Sequence, residues 1–214
     1  MAERFSPSVF IVTFAVATLL FIVGILIGSA MTEKKVEQIL DFQETLRLEM
    51  QDLELQGQLS GQNPCNSQLL YSLGERIDDL GSRLTMLEDQ LGKNDARIIE
   101  LKKPYTLLMI QHYFLTKKRI DSCHENYIII LFFYSNKPEQ VDKSKEQGYV
   151  LDYLAKKYGY DKVKVYSLDA DLSLGIINAL KDQYNVTEIP TTVINDKIFV
   201  GFHSQNELEK EIVI

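Results

Sequence analysis

From Val9 to Ile27 the chain reads VFIVTFAVATLLFIVGILI without one charged side chain. At 1.5 Å of rise per residue such a helix covers roughly 30 Å, the hydrocarbon thickness of a bilayer. Residues 8–30 are therefore predicted to be a retained, single transmembrane anchor. Gly28 and Ala30 offer the small-x-small site of a cleavable signal peptide, but the apolar stretch is longer than a signal core and its basic leader is thin. Flanking charge does not orient the span, because Arg4 and the amino terminus stand against Lys34 and Lys35. The remainder of the 214 residues suffices for one globular core. The net charge of -7 excludes nucleic acid as a partner, since phosphate binding needs a surplus of Lys and Arg.

Helical patterns follow. Residues 32–59 carry a loose stripe of Ile39, Phe42, Leu46 and Leu53, interrupted at Glu49, before QGQLSGQNP breaks the helix. This reads as a helical stalk that either completes a three-helix bundle with the next segment or forms a homodimer. Leu70, Leu73, Ile77, Leu80, Leu84, Leu87 and Leu91 then alternate steps of three and four, the spacing of a coiled-coil seam. In GKND, Gly92 can end one helix and Asp95 can cap another, and Ile98, Leu101, Tyr105, Leu108, His112 and Leu115 resume the spacing. Folding back about GKND sets Leu73 against Leu115, Ile77 against His112, Leu80 against Leu108, Leu84 against Tyr105 and Leu87 against Leu101. Residues 66–121 are therefore predicted to form an antiparallel coiled-coil hairpin, with Pro104 kinking its second arm.

The same register brings the chain's only two cysteines, Cys65 and Cys123, together at the open end of the hairpin, roughly 40 Å from the turn. A disulfide between them is the favoured reading; the other is two buried thiols acting as small apolar side chains. Disulfides persist outside the reducing cytosol, so the bond places the C-terminal part on the extracytoplasmic side with the amino terminus inside.

Residues 125–214 read as a compact α/β domain. Tyr127 to Tyr134, YIIILFFY, has the continuous apolar character of a strand covered on both faces. An amphipathic helix over Tyr149 to Tyr158, a strand over Lys162 to Leu168 and a helix over Leu172 to Tyr184 follow. A hairpin of Thr191 to Ile194 and Lys197 to Phe202 about Asn195 and Asp196, then a helix over Gln205 to Ile212, complete the order βαβαββα.

YNVTEIPTTVINDKIFVGF, Tyr184 to Phe202, resembles the second half of a thioredoxin-like domain, and VYSLDAD with Asp169 and FFYS agree with it. The resemblance covers only the part from Tyr127 onward. It implies a mixed sheet with flanking helices, a cis peptide before Pro190, and a substrate groove bordered by Ile189, Pro190, Thr191, Tyr134 and Ser135. The sequence departs from the family where its chemistry lies. The thiol positions fall on Pro138 and Val141, or with a longer loop on Val141 and Ser144, and the family's buried acid is replaced by Phe132. Thiol exchange needs a thiolate, which serine at its ordinary pKa cannot replace.

No catalytic residue is assigned, and no metal or other cofactor, since His112, His124 and His203 show no ligand spacing with either cysteine. His112 is expected at a helix interface, and the charge run from Lys137 to Glu146 on a solvated surface. Asn185, Val186 and Thr187 form a sequon that an extracytoplasmic location would expose to glycosylation. The reading favours a non-enzymatic binding or scaffold module with a protein or peptide partner. The alternative is a membrane-tethered thiol-disulfide oxidoreductase, or a subunit of one, using Cys123 or a partner's thiols.

Overall fold

The computed structural model describes residues 7–60, 65 and 67–212, in two compact units, Met1–Glu44 and Thr45–Ile214. α1 runs as one helix over Pro7–Ser60, so no break separates the expected anchor from the expected stalk. Its stretch from Phe10 is long and apolar enough to cross a membrane by length and composition, and none of its most apolar window is buried. The break predicted at QGQLSGQNP, residues 56–64, comes later than expected: residues 56–60 are still helical in α1, and 61–64 lie outside the described residues.

Within the second unit, Leu46 and Leu53 of α1 are buried. Arg76 of α2, Ser67–Leu91, reaches Glu49 and Asp52, each at 2.8 Å. The Glu49 that interrupts the apolar stripe is thus an ion-pair partner. α2 and α3, Ala96–Cys123, pack together and bury Leu73, Leu80, Leu87, Leu101 and Leu108. Gly92, at φ 96°, closes α2 with its N–H donating to the Glu88 carbonyl at 2.7 Å, a conformation that costs glycine no Cβ clash. Asp95 caps α3 by accepting from the Arg97 N–H at 2.9 Å. Pro104 is accommodated inside α3, which stays one helix. His112 and Tyr105 face Gly74 and Gly81, three residues before the partners expected from spacing. A Cβ at those glycines would stand 3.3 Å from His112 Nε2 and 2.6 Å from Tyr105 Oη, so ring width selects the glycines. At the far ends of the two helices Cys65 and Cys123 form a disulfide, with Cα atoms 5.7 Å apart.

The sheet follows from β1, Ile128–Tyr134, which is buried along almost its whole length. β2, Val163–Asp169, pairs parallel to it; β3, Thr191–Ile194, and β4, Lys197–Val200, add antiparallel, giving the order β2-β1-β3-β4. With α4, Val141–Tyr158, α5, Gly175–Gln183, and α6, Gln205–Leu208, ending in a 3-10 turn, the element order is the expected one and the fold is thioredoxin-like. Because side chains alternate along a strand, Ile128, Ile130 and Phe132 pack with Leu151 and Leu154 of α4 and Leu208 of α6, while Ile129, Leu131 and Phe133 face the other way. α4 starts at Val141 rather than Tyr149 because its first turns bury polar side chains instead of an apolar stripe. Ser144 Oγ accepts from the Ser135 N–H and Gln147 Oε1 from the His203 N–H, at 3.2 and 2.7 Å. α5 starts at Gly175 rather than Leu172, since the Leu172 N–H is turned back to the Asp169 carbonyl at 3.2 Å.

α3 meets the sheet through a buried polar junction. The His112 Nε2–H donates to the Leu70 carbonyl at 3.1 Å, so its Nδ1 accepts from the Tyr166 hydroxyl at 2.8 Å. That hydroxyl also lies 2.9 Å from the Thr116 hydroxyl. Burial pushes the imidazole from 6.5 down to about 4, against the smaller opposing effect of the Leu70 carbonyl.

Two outcomes follow for the detergent-solubilised full chain. Reducing the disulfide, or Cys65→Ser, should lower the unfolding free energy by about 4 kcal/mol, the chain-entropy value for a loop of this length; an unchanged denaturation midpoint would contradict it. His112 binds a proton near pH 6.5 when unfolded but near 4 when folded. Its contribution is therefore complete above about pH 6.5 and lost as pH falls toward 4, by about 3 kcal/mol. His112→Gln should flatten that part of the stability–pH curve measured by chemical unfolding.

Candidate functional site

In α/β sheets, ligand-binding loops gather beyond the carboxyl ends of the parallel strands. Here that end of β1 and β2 holds the segment after Tyr134, the segment after Asp169 and the tip of the α2–α3 pair. The pairing of Phe133 with Thr191 continues by one step to set Pro190 beside Tyr134, so β3 begins at the same end. The Ile189–Pro190 peptide is cis.

A polar network fills this end. Ser135 Oγ donates to Asp171 Oδ2 at 2.6 Å and accepts from the Lys137 N–H at 3.1 Å. Lys137 Nζ pairs with Asp171 Oδ1 at 2.6 Å. Burial works against the Asp171 carboxylate, yet the hydrogen bonds from Lys137 and Ser135 outweigh it and hold its pKa below the usual range. Asp169 accepts from the Asp171 N–H at 3.0 Å and from Asn136 Nδ2 at 3.0 Å. From above, Lys102 of α3, buried to 3% exposure, reaches Glu88 Oε1 at 2.8 Å and Asp169 Oδ2 at 3.5 Å. The helical pair is thereby fastened onto the loops at this end of the sheet. Tyr134, packed beneath, has its pKa raised by burial first and then by Asp169 and Glu88.

The five residues expected to border a groove divide by what they offer. Ser135 and Thr191 are fully enclosed, and the Thr191 hydroxyl donates to the Glu188 carbonyl at 2.6 Å. Tyr134 packs against the core beside Phe132. The Pro190 carbonyl accepts from the Gly201 N–H at 2.8 Å. Ile189 remains: it is half-buried, and its main chain makes no hydrogen bond among the described residues.

Of the residues expected at the thiol positions, Pro138 lies in a turn, Val141 is the first residue of α4, and the Ser144 hydroxyl is used by the Ser135 N–H. Phe132, expected in place of the family's buried acid, lies within the core. Cys123 ends α3 before β1 begins, so the disulfide lies beyond the opposite end of a seven-residue strand, roughly 20 Å from these loops. Asn185 is exposed at φ 45°, ending α5 in a left-handed conformation that asparagine tolerates. His124 caps the end of α3 at φ 55°, and His203 lies 3.8 Å from Glu207. The cluster of Lys102, Glu88 and Asp169 escaped the sequence reading. Its one signal is a lysine placed directly after the seam residue Leu101, where a solvated charge is the ordinary interpretation.

No family model matches the chain, and no curated protein does. Solved structures do. Chloroplastic thioredoxin z is similar at 17% identity with a TM-score of 0.34, over 44% of this chain and 83% of that one. The germline-specific thioredoxin Deadhead of the fruit fly is similar at 23% identity with a TM-score of 0.33, over 47% of this chain and 94% of its own. Strand order, strand direction and the sequence of elements define the thioredoxin-like fold of this chain.

Lys102→Met would leave Glu88 and Asp169 without their shared cation in a largely dry site. It should cost about 3–5 kcal/mol, read by chemical denaturation. A loss below about 1 kcal/mol, the range of surface pairs, would show that the cluster holds nothing together.

Proposed function

We propose that this chain is a membrane-anchored thioredoxin-like binding module without dithiol chemistry, displayed on the extracytoplasmic side. In this reading residues 8–30 cross the bilayer once, 32–59 form a stalk, and 66–121 form an antiparallel coiled-coil spacer. The domain over 125–214 offers its Ile189–Pro190 segment to an extended peptide, which pairs with the Ile189 main chain. The observation that carries the reading is the contrast at one end of the sheet: the Ile189 peptide groups are unpaired among the described residues, while Pro138, Val141 and Ser144 stand where the resemblance would place a thiolate. Both cysteines are consumed in a bond at the other end. Lys137 and Asp171 satisfy each other and leave no activated nucleophile in the network.

The disulfide also supports the extracytoplasmic placement, because such bonds persist where thiols are oxidised. In that location the exposed Asn185 and Thr187 would present a sequon for a glycan near the Ile189 segment.

Insulin reduction in the presence of dithiothreitol tests the reading against the thiol-disulfide oxidoreductase alternative. The full chain and Cys123→Ser should both leave the rate at the reagent's own background. Turnover by the full chain that vanishes in Cys123→Ser would overturn the proposal.

A further inference from the structure

β2 is an edge strand, and the sheet order leaves its outer side without a neighbouring strand among the described residues. Two hydrogen bonds set the phase of its ladder with β1: Ile128 N–H to the Lys162 carbonyl at 2.9 Å and Ala170 N–H to the Tyr134 carbonyl at 2.8 Å. In a parallel ladder alternate residues turn both main-chain groups toward the partner strand. Lys164, Tyr166 and Leu168 therefore face β1, and Val165 and Ser167 direct their N–H and C=O groups outward. Neither outward pair has a hydrogen-bond partner among the described residues.

This bare edge is the floor of a groove of about 970 Å³ walled by α2 on one face of the sheet and α4 on the other. The edge is thus flanked by two helical walls. They also differ chemically. On the α4 side Leu151 and Ala155 are apolar, Gly148 has no side chain, and the Asp152 carboxylate is engaged by the Tyr160 hydroxyl at 2.9 Å. On the α2 side stand Glu75 and Asp78. Asp78's carboxylate receives no hydrogen bond among the described residues, and partial removal from water pushes its pKa up. Lys164 is close enough for its charge to act on Asp78, but its ammonium donates its hydrogen bond to the Tyr160 carbonyl at 2.7 Å and makes no ion pair with that carboxylate among the described residues.

We propose that the outer edge of β2 receives an extended peptide as an additional strand. The peptide's alternate side chains would be small and apolar toward α4 and basic toward α2. Main-chain hydrogen bonds to Val165 and Ser167 supply the binding, and the unequal walls set the preference. This site lies on the far side of β1 from Ile189 and is independent of the function proposed above.

The test uses the full chain in detergent micelles and three labelled synthetic peptides of about seven residues, matching the length of β2. They alternate valine with lysine, serine or glutamate. Fluorescence anisotropy should rank them lysine, serine, glutamate, with at least about a tenfold difference between the ends of the series. Binding should protect the Val165 and Ser167 amides from hydrogen exchange. Val165→Pro deletes an outward donor while leaving the ladder intact, a substitution that edge strands accept, and should weaken the lysine peptide at least about tenfold. Asp78→Asn, which keeps the fold's hydrogen bonds, should weaken the lysine peptide several-fold and leave the serine peptide unchanged. Three results would overturn the proposal: no binding anywhere in the series, binding without protection of Val165 and Ser167, or protection that rises with protein concentration alone and so reports a second copy.

Discussion

The larger unit depends on α3 lying against the sheet and being held there along its length. At its start Lys102 ties it to Asp169. In its middle His112 and Thr116 meet the Tyr166 hydroxyl, and the Tyr113 hydroxyl lies 2.9 Å from that of Tyr184. Further on, Lys117 pairs with Asp196 at 2.9 Å in the β3–β4 turn, and Arg119 pairs with Glu125 just before β1. A buried ion pair is by itself weak evidence of stability, because desolvation offsets its attraction. These contacts instead fix one register between helix and sheet, because any slip would strand several buried polar groups at once.

That register decides what each end of the sheet can do. The tip of the α2–α3 pair is pressed onto the loops that follow β1 and β2, which the Ser135, Asp169 and Asp171 hydrogen bonds already hold in place. In the function proposed here, an end held in this way would lose little ordering entropy on receiving an extended chain. The other end carries the covalent tie between Cys65 and Cys123. α3 also explains why the sheet can be so small: it covers the face opposite α4 while leaving the outer edge of β2 open.

Much of this was legible in the residues. The seam of Leu73, Leu80 and Leu87 and the terminating Gly92 sufficed to predict the helical reversal, and the matched positions of Cys65 and Cys123 predicted their bond. YIIILFFY announced a doubly covered strand because it lacks alternation. Less visible was anything that depends on buried polar side chains. The first turns of α4 carry Ser144 and Gln147 where an apolar stripe would normally reveal a helix. Lys102 has the sequence appearance of a surface charge, and only the approach of Asp169 from a distant strand gives it a buried role. The preference of His112 and Tyr105 for glycines likewise follows from ring width, which heptad spacing does not encode.

Native-state hydrogen exchange across a denaturant series tests the central claim most directly. If α3 and the sheet are one cooperative structure, amides of Leu108 to Thr116 and of β1 and β2 should converge on a single opening free energy, equal to that of global unfolding. An opening of α3 that lies more than about 2 kcal/mol below that of β1 would mean the helix is an appendage to the sheet and would contradict the account.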